Sequence, residues 1–160
     1  MKVIDHWLEY LNRNQVRLSH SVHPRAETAL ETATADRMPA HDLAKTVVYF
    51  TGTGFGMAVV PADEFVDLAK VARLLGETGI RLANEAELAE LFPDCELGAM
   101  PPFGNHYGMR VIVDPAVACR EFIAFNLGTH RDTVRMSYAD FERLASPAFA
   151  SIAVPYEVPV

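Results

Sequence analysis

Apolar positions recur along the chain with two different periods, and each period marks a different kind of element. Ile4, Trp7, Leu8 and Leu11 fall at i, i+3, i+4 and i+7, the stripe of one helix face, and predict an N-terminal helix within residues 1–15. Val16, Leu18, His20 and Val22 alternate with polar neighbours and predict a strand ending at His23-Pro24. Residues 25–37, rich in Ala, Glu and Thr, predict a second helix closed before Pro39. Thr46–Phe50 and Met57–Val60 are two β-branched, aromatic and apolar runs joined by Thr51-Gly52-Thr53-Gly54, a hairpin signal. Pro61 ends the hairpin, and Asp63 is expected to cap a helix whose buried stripe is Phe65, Leu68, Ala69, Ala72 and Leu75, stopped by Gly76.

A short strand is predicted at Ile80–Ala83, then a helix to Phe92 opened by Asn84 with a carboxylate at Glu87. Cys95–Gly104 contains two adjacent prolines and two glycines, which neither a helix nor a central strand accommodates. Strands follow at Met109–Val113, Phe122–Phe125 and Thr133–Met136, with a turn at Gly128–Asp132. Ser137 opens a last helix through Leu144, and residues 150–160, with Pro155 and Pro159, are expected to be a loosely ordered tail. About seven strands and five helices alternate between hairpins and strand–helix–strand units. The expected class is α/β (α+β): one domain over 1–160, with a mixed sheet curled around a core and helices packed outside.

Composition narrows the function. With 160 residues, half of them apolar and 22% charged, the chain has the profile of a water-soluble globular domain. No run of 18 apolar residues occurs, and Asp5 and Glu9 interrupt any signal-peptide core, so no membrane partner and a cytoplasmic location are expected. Cys95 and Cys119 read as free thiols. The net charge of −7, with fourteen scattered basic residues, argues against gripping DNA or long stretches of RNA backbone. Contact with only the end of an RNA molecule remains open.

Among the motifs, Gly52-Thr53-Gly54-Phe55-Gly56 lacks both the spacing of a dinucleotide loop and a following helix N-terminus, and reads as a hairpin turn. Of the six histidines, His20 and His23 are the strongest local pair, but positions three apart on a strand face opposite sides, so no metal site is expected. No G-x-S-x-G elbow is present. Lys45, at the entrance to a strongly apolar strand, is either a surface lysine or a functional cation. The Gly98–Gly104 loop is either a tight structural turn or a rigid cradle whose exposed N–H groups hold a carbonyl or carboxylate.

The ordered combination of these features resembles a known family. Lys45-Thr46-Val47-Val48, Val59-Val60-Pro61 with Asp67-x-x-Lys70, Leu82-Ala83-x-x-x-Glu87, Gly98-x-x-x-Pro102-Phe103-Gly104, Val111-x-Val113-Asp114 and Gly128-x-His130 follow, in order, the pattern of the YbaK-type aminoacyl-tRNA deacylases, over roughly residues 20–145. That family includes free-standing proteins and the insertion domain of bacterial prolyl-tRNA synthetases. The resemblance implies a YbaK-like curled sheet and an editing pocket lined by Lys45, Gly98 and His130. Thr46, Ala99, Met100, Pro101, Pro102, Phe103, Gly104, Gly128 and Thr129 are expected at the substrate. Many relatives carry Ser where this chain has Pro101, which stiffens the loop and removes a hydroxyl.

The implied activity is trans hydrolysis of the ester joining a small mischarged amino acid (Ala, Ser or Cys) to tRNA, tRNA(Pro) by analogy, without metal or other cofactor. In that reading Lys45 holds the terminal adenosine, N–H groups at Gly98 stabilise the oxyanion, and His130 bounds the pocket or orients water. The tRNA acceptor end would be a transient partner, with a prolyl-tRNA synthetase beside it. The competing reading is a catalytically silent binding module of the same fold, for a small metabolite, nucleotide or protein.

Overall fold

The computed structural model describes residues 2–156, and its elements follow from local chemistry the chain displays. Helix α1 (Val3–Arg13) turns Trp7 and Leu11 into the interior. Strand β1 (Leu18–Val22) follows, then α2 (Ala29–Ala35), whose N-terminus is capped by the Thr28 hydroxyl accepting from the Glu31 N–H at 3.1 Å. The helix expected over 25–37 is therefore shorter, because the backbone at His23 and Ala26 is drawn into hydrogen bonds with Arg131 and His130.

β2 (Ala44–Phe50) and β3 (Phe55–Pro61) form the expected hairpin, in register from Ala44↔Pro61 to Phe50↔Phe55. Gly56 lies opposite Tyr49, and a Cβ there would sit 2.3 Å from the Tyr49 ring, so glycine lets the aromatic ring lie flat across the sheet. The next element corrects the sequence reading. Glu64–Val66 is a strand, β4, leaving Phe65 54% exposed, and Asp67, not Asp63, caps α3 (Leu68–Leu75), accepting from the N–H groups of Ala69 and Lys70. The partner of β4 is β10 (Ala153–Pro155), some ninety residues away, a pairing that local periodicity does not encode.

β5 (Arg81–Leu82) precedes α4 (Glu85–Leu91), which opens with the expected reciprocal capping box between Asn84 and Glu87. After the proline loop come β6 (Arg110–Val113), α5 (Pro115–Ala118), β7 (Phe122–Asn126), β8 (Asp132–Ser137), α6 (Tyr138–Ala145) and β9 (Ala148–Phe149). The described residues thus hold ten strands and six α-helices, more than the tally of seven and five, because β4, β9, β10 and α5 are too short to show a period. The segment expected as a loose tail is fixed through residue 156: Ile152 is fully buried, and Asp114 Oδ1 accepts from the Ile152 and Ala153 N–H groups at 2.9 Å. Residues 157–160, including Pro159, lie outside the described residues.

A five-stranded mixed sheet has the order β5-β2-β3-β6-β9, parallel only at β3–β6 and β6–β9. A three-stranded antiparallel sheet has the order β1-β8-β7. A parallel bridge between Leu43 and Ala124 joins the two, so the mixed α/β sheet curls as expected. Val48, Met57, Val59, Val111 and Val113 face a large core with Trp7, Phe103, Phe125 and Phe141, while Tyr49, Ala58, Val60 and Ile112 face a smaller one under α3. This strict alternation determines which side of β2 each site residue occupies.

Candidate active site

Three segments far apart in the chain are stitched together at one corner of the molecule. The Glu96 N–H donates to the Gly128 carbonyl at 2.9 Å, and the Gly128 N–H donates to the Ala99 carbonyl at 2.8 Å. On the third segment, the His23 N–H donates to the Arg131 carbonyl at 2.9 Å and the Ala26 N–H to the His130 carbonyl at 3.2 Å. Both glycines here have left-handed backbones that side-chain-bearing residues rarely adopt: φ is +86° at Gly98 and +92° at Gly128. A Cβ at Gly128 would also press on Val3 at 3.0 Å.

His130 is 2% exposed, and its Nε2 lies 2.6 Å from the Leu97 carbonyl oxygen. That oxygen can only accept, so Nε2 carries a hydrogen and donates it. Nδ1 is buried and has no hydrogen-bond partner in the structure. His130 therefore pins the loop through Leu97, beside Gly98: a Cβ built on Gly98 would lie 3.5 Å from His130 Cε1 and 4.0 Å from the Glu27 carbonyl oxygen. Around this corner runs an exposed ion network in which Arg25 bridges Glu27 at 2.7 Å and Glu96 at 2.5 Å, with the Glu27 carboxylate 3.7 Å from His130 Nε2. A hollow of about 360 Å³ lies alongside, lined by Arg25, Ala26, Leu30, Glu31, Thr34 and Ala35.

The loop offers less backbone than its composition suggests. The Ala99 N–H is spent on the Glu96 carbonyl at 3.0 Å, and prolines 101 and 102 have no N–H. The Gly98 N–H faces only the Met100 sulfur at 3.3 Å, a weak acceptor that a developing oxyanion would outcompete. Leu97 and Gly98 are exposed, whereas Ala99, Met100, Pro101, Pro102, Phe103 and Gly104 are buried. Phe103 stacks on Trp7 at 5.3 Å, and Gly104 sits where a Cβ would meet Val111 at 3.0 Å and Met57 at 3.2 Å. Phe103 and Gly104 are thus packed into the core beneath the exposed tip. Thr129 builds the turn, its hydroxyl donating to Asp132 at 2.5 Å and accepting from the Arg131 and Asp132 N–H groups.

Lys45 stands apart from the Gly98–His130 pair. On β2 it shares a face with Leu43, Val47 and Tyr49, whereas Thr46 shares the large-core face with Ala44 and Val48. Its ammonium donates to the Tyr156 hydroxyl at 2.8 Å and lies 4.9 Å and 5.5 Å from the Tyr156 and Phe65 ring centroids. Among the described residues no hydrogen bond, ion pair or ring contact links Lys45 to Gly98 or His130. The Leu43–Ala124 bridge gives the relation between them: two residues on, the same face carries Lys45 on β2 and Asn126 on β7, four positions before His130. Asn126 Oδ1 is buried without a partner. Local sequence gave no sign of Asn126, Phe65 or Tyr156. Asn126 could have been noticed as a polar residue on the face that Ala124 buries.

Other candidate chemistry resolves into structure. His20 Nε2 binds Asp132 at 2.6 Å and His23 Nε2 binds the Thr133 hydroxyl at 2.9 Å. Among the described residues, no group of three His, Cys, Asp or Glu side chains is placed to hold a metal ion. No helix among them is long and apolar enough to cross a membrane. Burial pushes the Cys95 thiol up to about 12, which suits a packed residue and not a nucleophile.

A curled mixed sheet whose glycine loop is pinned by a buried histidine defines an α/β domain with a histidine-braced loop at one corner. Residues 23–144, the span holding all the stitched segments and Lys45, match the family model of the aminoacyl-tRNA editing domain, and the chain belongs to that family. The multifunctional Ser/Thr-tRNA deacylase ProXp-y of Escherichia coli K12 is 37% identical over 92 residues, 57% of this chain and 54% of the relative. A proline–tRNA ligase of Xanthomonas oryzae pv. oryzae is 38% identical over 74 residues, 46% of this chain and 13% of the ligase. The chain spans about half the length of the deacylase it matches. In fold it superposes on the crystal structure of a candidate trans-editing enzyme for prolyl tRNA synthetase with a TM-score of 0.82 at 20% identity, covering 96% of this chain and 98% of the other.

Proposed function

We propose that the chain is a trans-acting deacylase that hydrolyses the ester of a small mischarged amino acid, Ala, Ser or Cys, on the acceptor end of tRNA, with tRNA(Pro) as the expected carrier, in the cytoplasm. The observation that carries this reading is the Gly98 N–H, on an exposed residue beside the His130–Leu97 hydrogen bond and engaged only by a thioether. Such a donor is preorganised for an oxyanion. Lys45 supplies a compact positive charge for the terminal phosphate or ribose. His130 is a positioning residue: with Nε2 committed to Leu97 it fixes the loop and does not remove a proton through that nitrogen. Water, oriented by the adjacent ribose hydroxyl, adds to the ester carbonyl; the C–O bond to the ribose breaks, the ribose oxygen takes up the proton that the water gives up, and the free amino acid leaves.

Seryl-tRNA is the first substrate to test, since it lies both in the size class expected of the site and in the activity for which the E. coli relative is named. A second sieve of this kind admits small side chains and excludes the larger cognate prolyl group. Deacylation of tRNA charged with Ala, Ser, Cys, Thr or Pro, by wild type and Lys45→Ala, tests the assignment. Hydrolysis of one or more small aminoacyl esters, sparing prolyl and slowed at least 10-fold in the variant, is expected. Indifference of every ester to the protein would refute it.

A further inference from the structure

The contact that separates Lys45 from the glycine loop has a consequence for its role. We propose that Tyr156, with Phe65, is a positioning residue for the Lys45 ammonium, presenting it to the phosphate or ribose of the tRNA end; this rests on the role given to Lys45 above. The cradle is built by a pairing that joins β4, inside the family-matched span, to β10, beyond it. β10 lies antiparallel to β4, with Val154 opposite Phe65 and Pro155 opposite Glu64. The Tyr156 ring then closes on the Phe65 ring at 4.1 Å. Asp114 anchors the segment by accepting from both the Ile152 and Ala153 N–H groups.

Lysine on a strand carries a long flexible stem, and fixing it on substrate arrival costs rotamer freedom. Here that ordering precedes binding. One of three ammonium hydrogens goes to the Tyr156 hydroxyl, while the two ring faces attract the charge without consuming a donor. Among the described residues the other two N–H groups have no hydrogen-bond acceptor. Among the described residues no carboxylate forms an ion pair with Lys45. Glu64, on the same strand as Phe65, has a buried oxygen with no hydrogen-bond partner among the described residues; burial first and Asp114 next raise its pKa, while Lys45 and His41 lower it.

Steady-state deacylation of seryl-tRNA by wild type, Tyr156→Phe, Tyr156→Ala, Lys45→Ala and the Lys45→Ala/Tyr156→Ala double variant tests the proposal, together with the NMR shift of the Lys45 ε-methylene. Tyr156→Phe keeps the ring and loses one hydrogen bond, so KM rises about 3-fold with little change in kcat. Tyr156→Ala removes ring and hydroxyl, so KM rises on the order of 10-fold. The double variant is no worse than Lys45→Ala alone. The ring-current upfield shift of the lysine methylene is present in wild type and Tyr156→Phe and reduced in Tyr156→Ala.

A Tyr156→Ala enzyme with wild-type or lower KM, or one whose defect persists undiminished in the Lys45→Ala background, overturns the proposal. If Lys45→Ala is severe and the Tyr156 variants are silent, this proposal alone falls. If Lys45→Ala itself is silent, the substrate role of Lys45 falls, and the positioning role with it.

Discussion

Replacing His130 tests whether one buried hydrogen bond holds the glycine loop in place. In His130→Phe the ring volume is roughly kept, and the 2.6 Å bond from Nε2 to the Leu97 carbonyl is lost. Leaving a buried acceptor without its partner costs roughly 1–3 kcal/mol, and Leu97 is 40% exposed, so water can reach part of that carbonyl and the lower half of the range applies. A loss of about 1–2 kcal/mol in a domain of this size lowers Tm by roughly 2–8 °C. His130→Ala adds a cavity at a site only 2% exposed, for a total of about 2–4 kcal/mol. Thermal unfolding of both variants, alongside turnover of seryl-tRNA at 25 °C where each remains folded, separates packing from loop placement. Turnover should fall at least 10-fold in both variants, although their stabilities differ. A His130→Phe protein with the wild-type Tm to within about 1 °C and wild-type turnover would show that Leu97 is not held by this bond.

Gly98→Ala forces a side-chain-bearing residue to φ +86° while its Cβ makes only an ordinary 3.5 Å contact, so the penalty is backbone strain of about 1–2 kcal/mol. Calorimetry should find that modest loss with a disproportionate fall in kcat, and an unchanged kcat would detach Gly98 from the oxyanion. Arg81, paired to both carboxylate oxygens of Glu87, and the Asn84 N–H lower the Glu87 pKa to about 2 from its ordinary 4.5. A depressed carboxylate adds stability above its unfolded pKa and loses it as pH falls through the folded one. The Tm advantage of wild type over Glu87→Gln should therefore hold from pH 7 to about 5 and vanish by about pH 2; an advantage that grows on acidification would reverse the assignment. Cys119 is exposed and Cys95 is held as a thiol by burial. Iodoacetamide at pH 8 should label Cys119 first and Cys95 only on unfolding, and mass spectrometry showing the reverse order would contradict that.

How far the fold could be read from the chain depended on how local its causes are. The β2–β3 hairpin, the Asn84–Glu87 box and the Ser137 cap are each written within a few residues, and they stand where periodicity puts them. Phe65 was assigned to a helix because its apolar neighbours recur at helical spacing. The competing partner for that backbone, residues 153–155, is invisible to any local window. The same long-range pairing explains why residues 150–156 looked loose and are instead fixed. At the site, resemblance singled out Lys45, Gly98 and His130. The structure sets His130 beside Gly98 through its bond to Leu97, and it ties Lys45 to Phe65 and Tyr156. The Pro101–Gly104 stretch drew notice for its rigidity; its burial against Trp7, Met57 and Val111 depends on tertiary packing that no spacing rule supplies.

The most direct measurement is a crystal structure with a non-hydrolysable seryl-adenosine amide bound. The account predicts the acyl oxygen within hydrogen-bond distance of the Gly98 N–H, the His130–Leu97 bond intact and the Lys45 ammonium turned to the adenosine. A ligand seated elsewhere, such as the 310 Å³ cavity between Arg120, Phe122 and Arg135, with Gly98 still facing Met100, would contradict it.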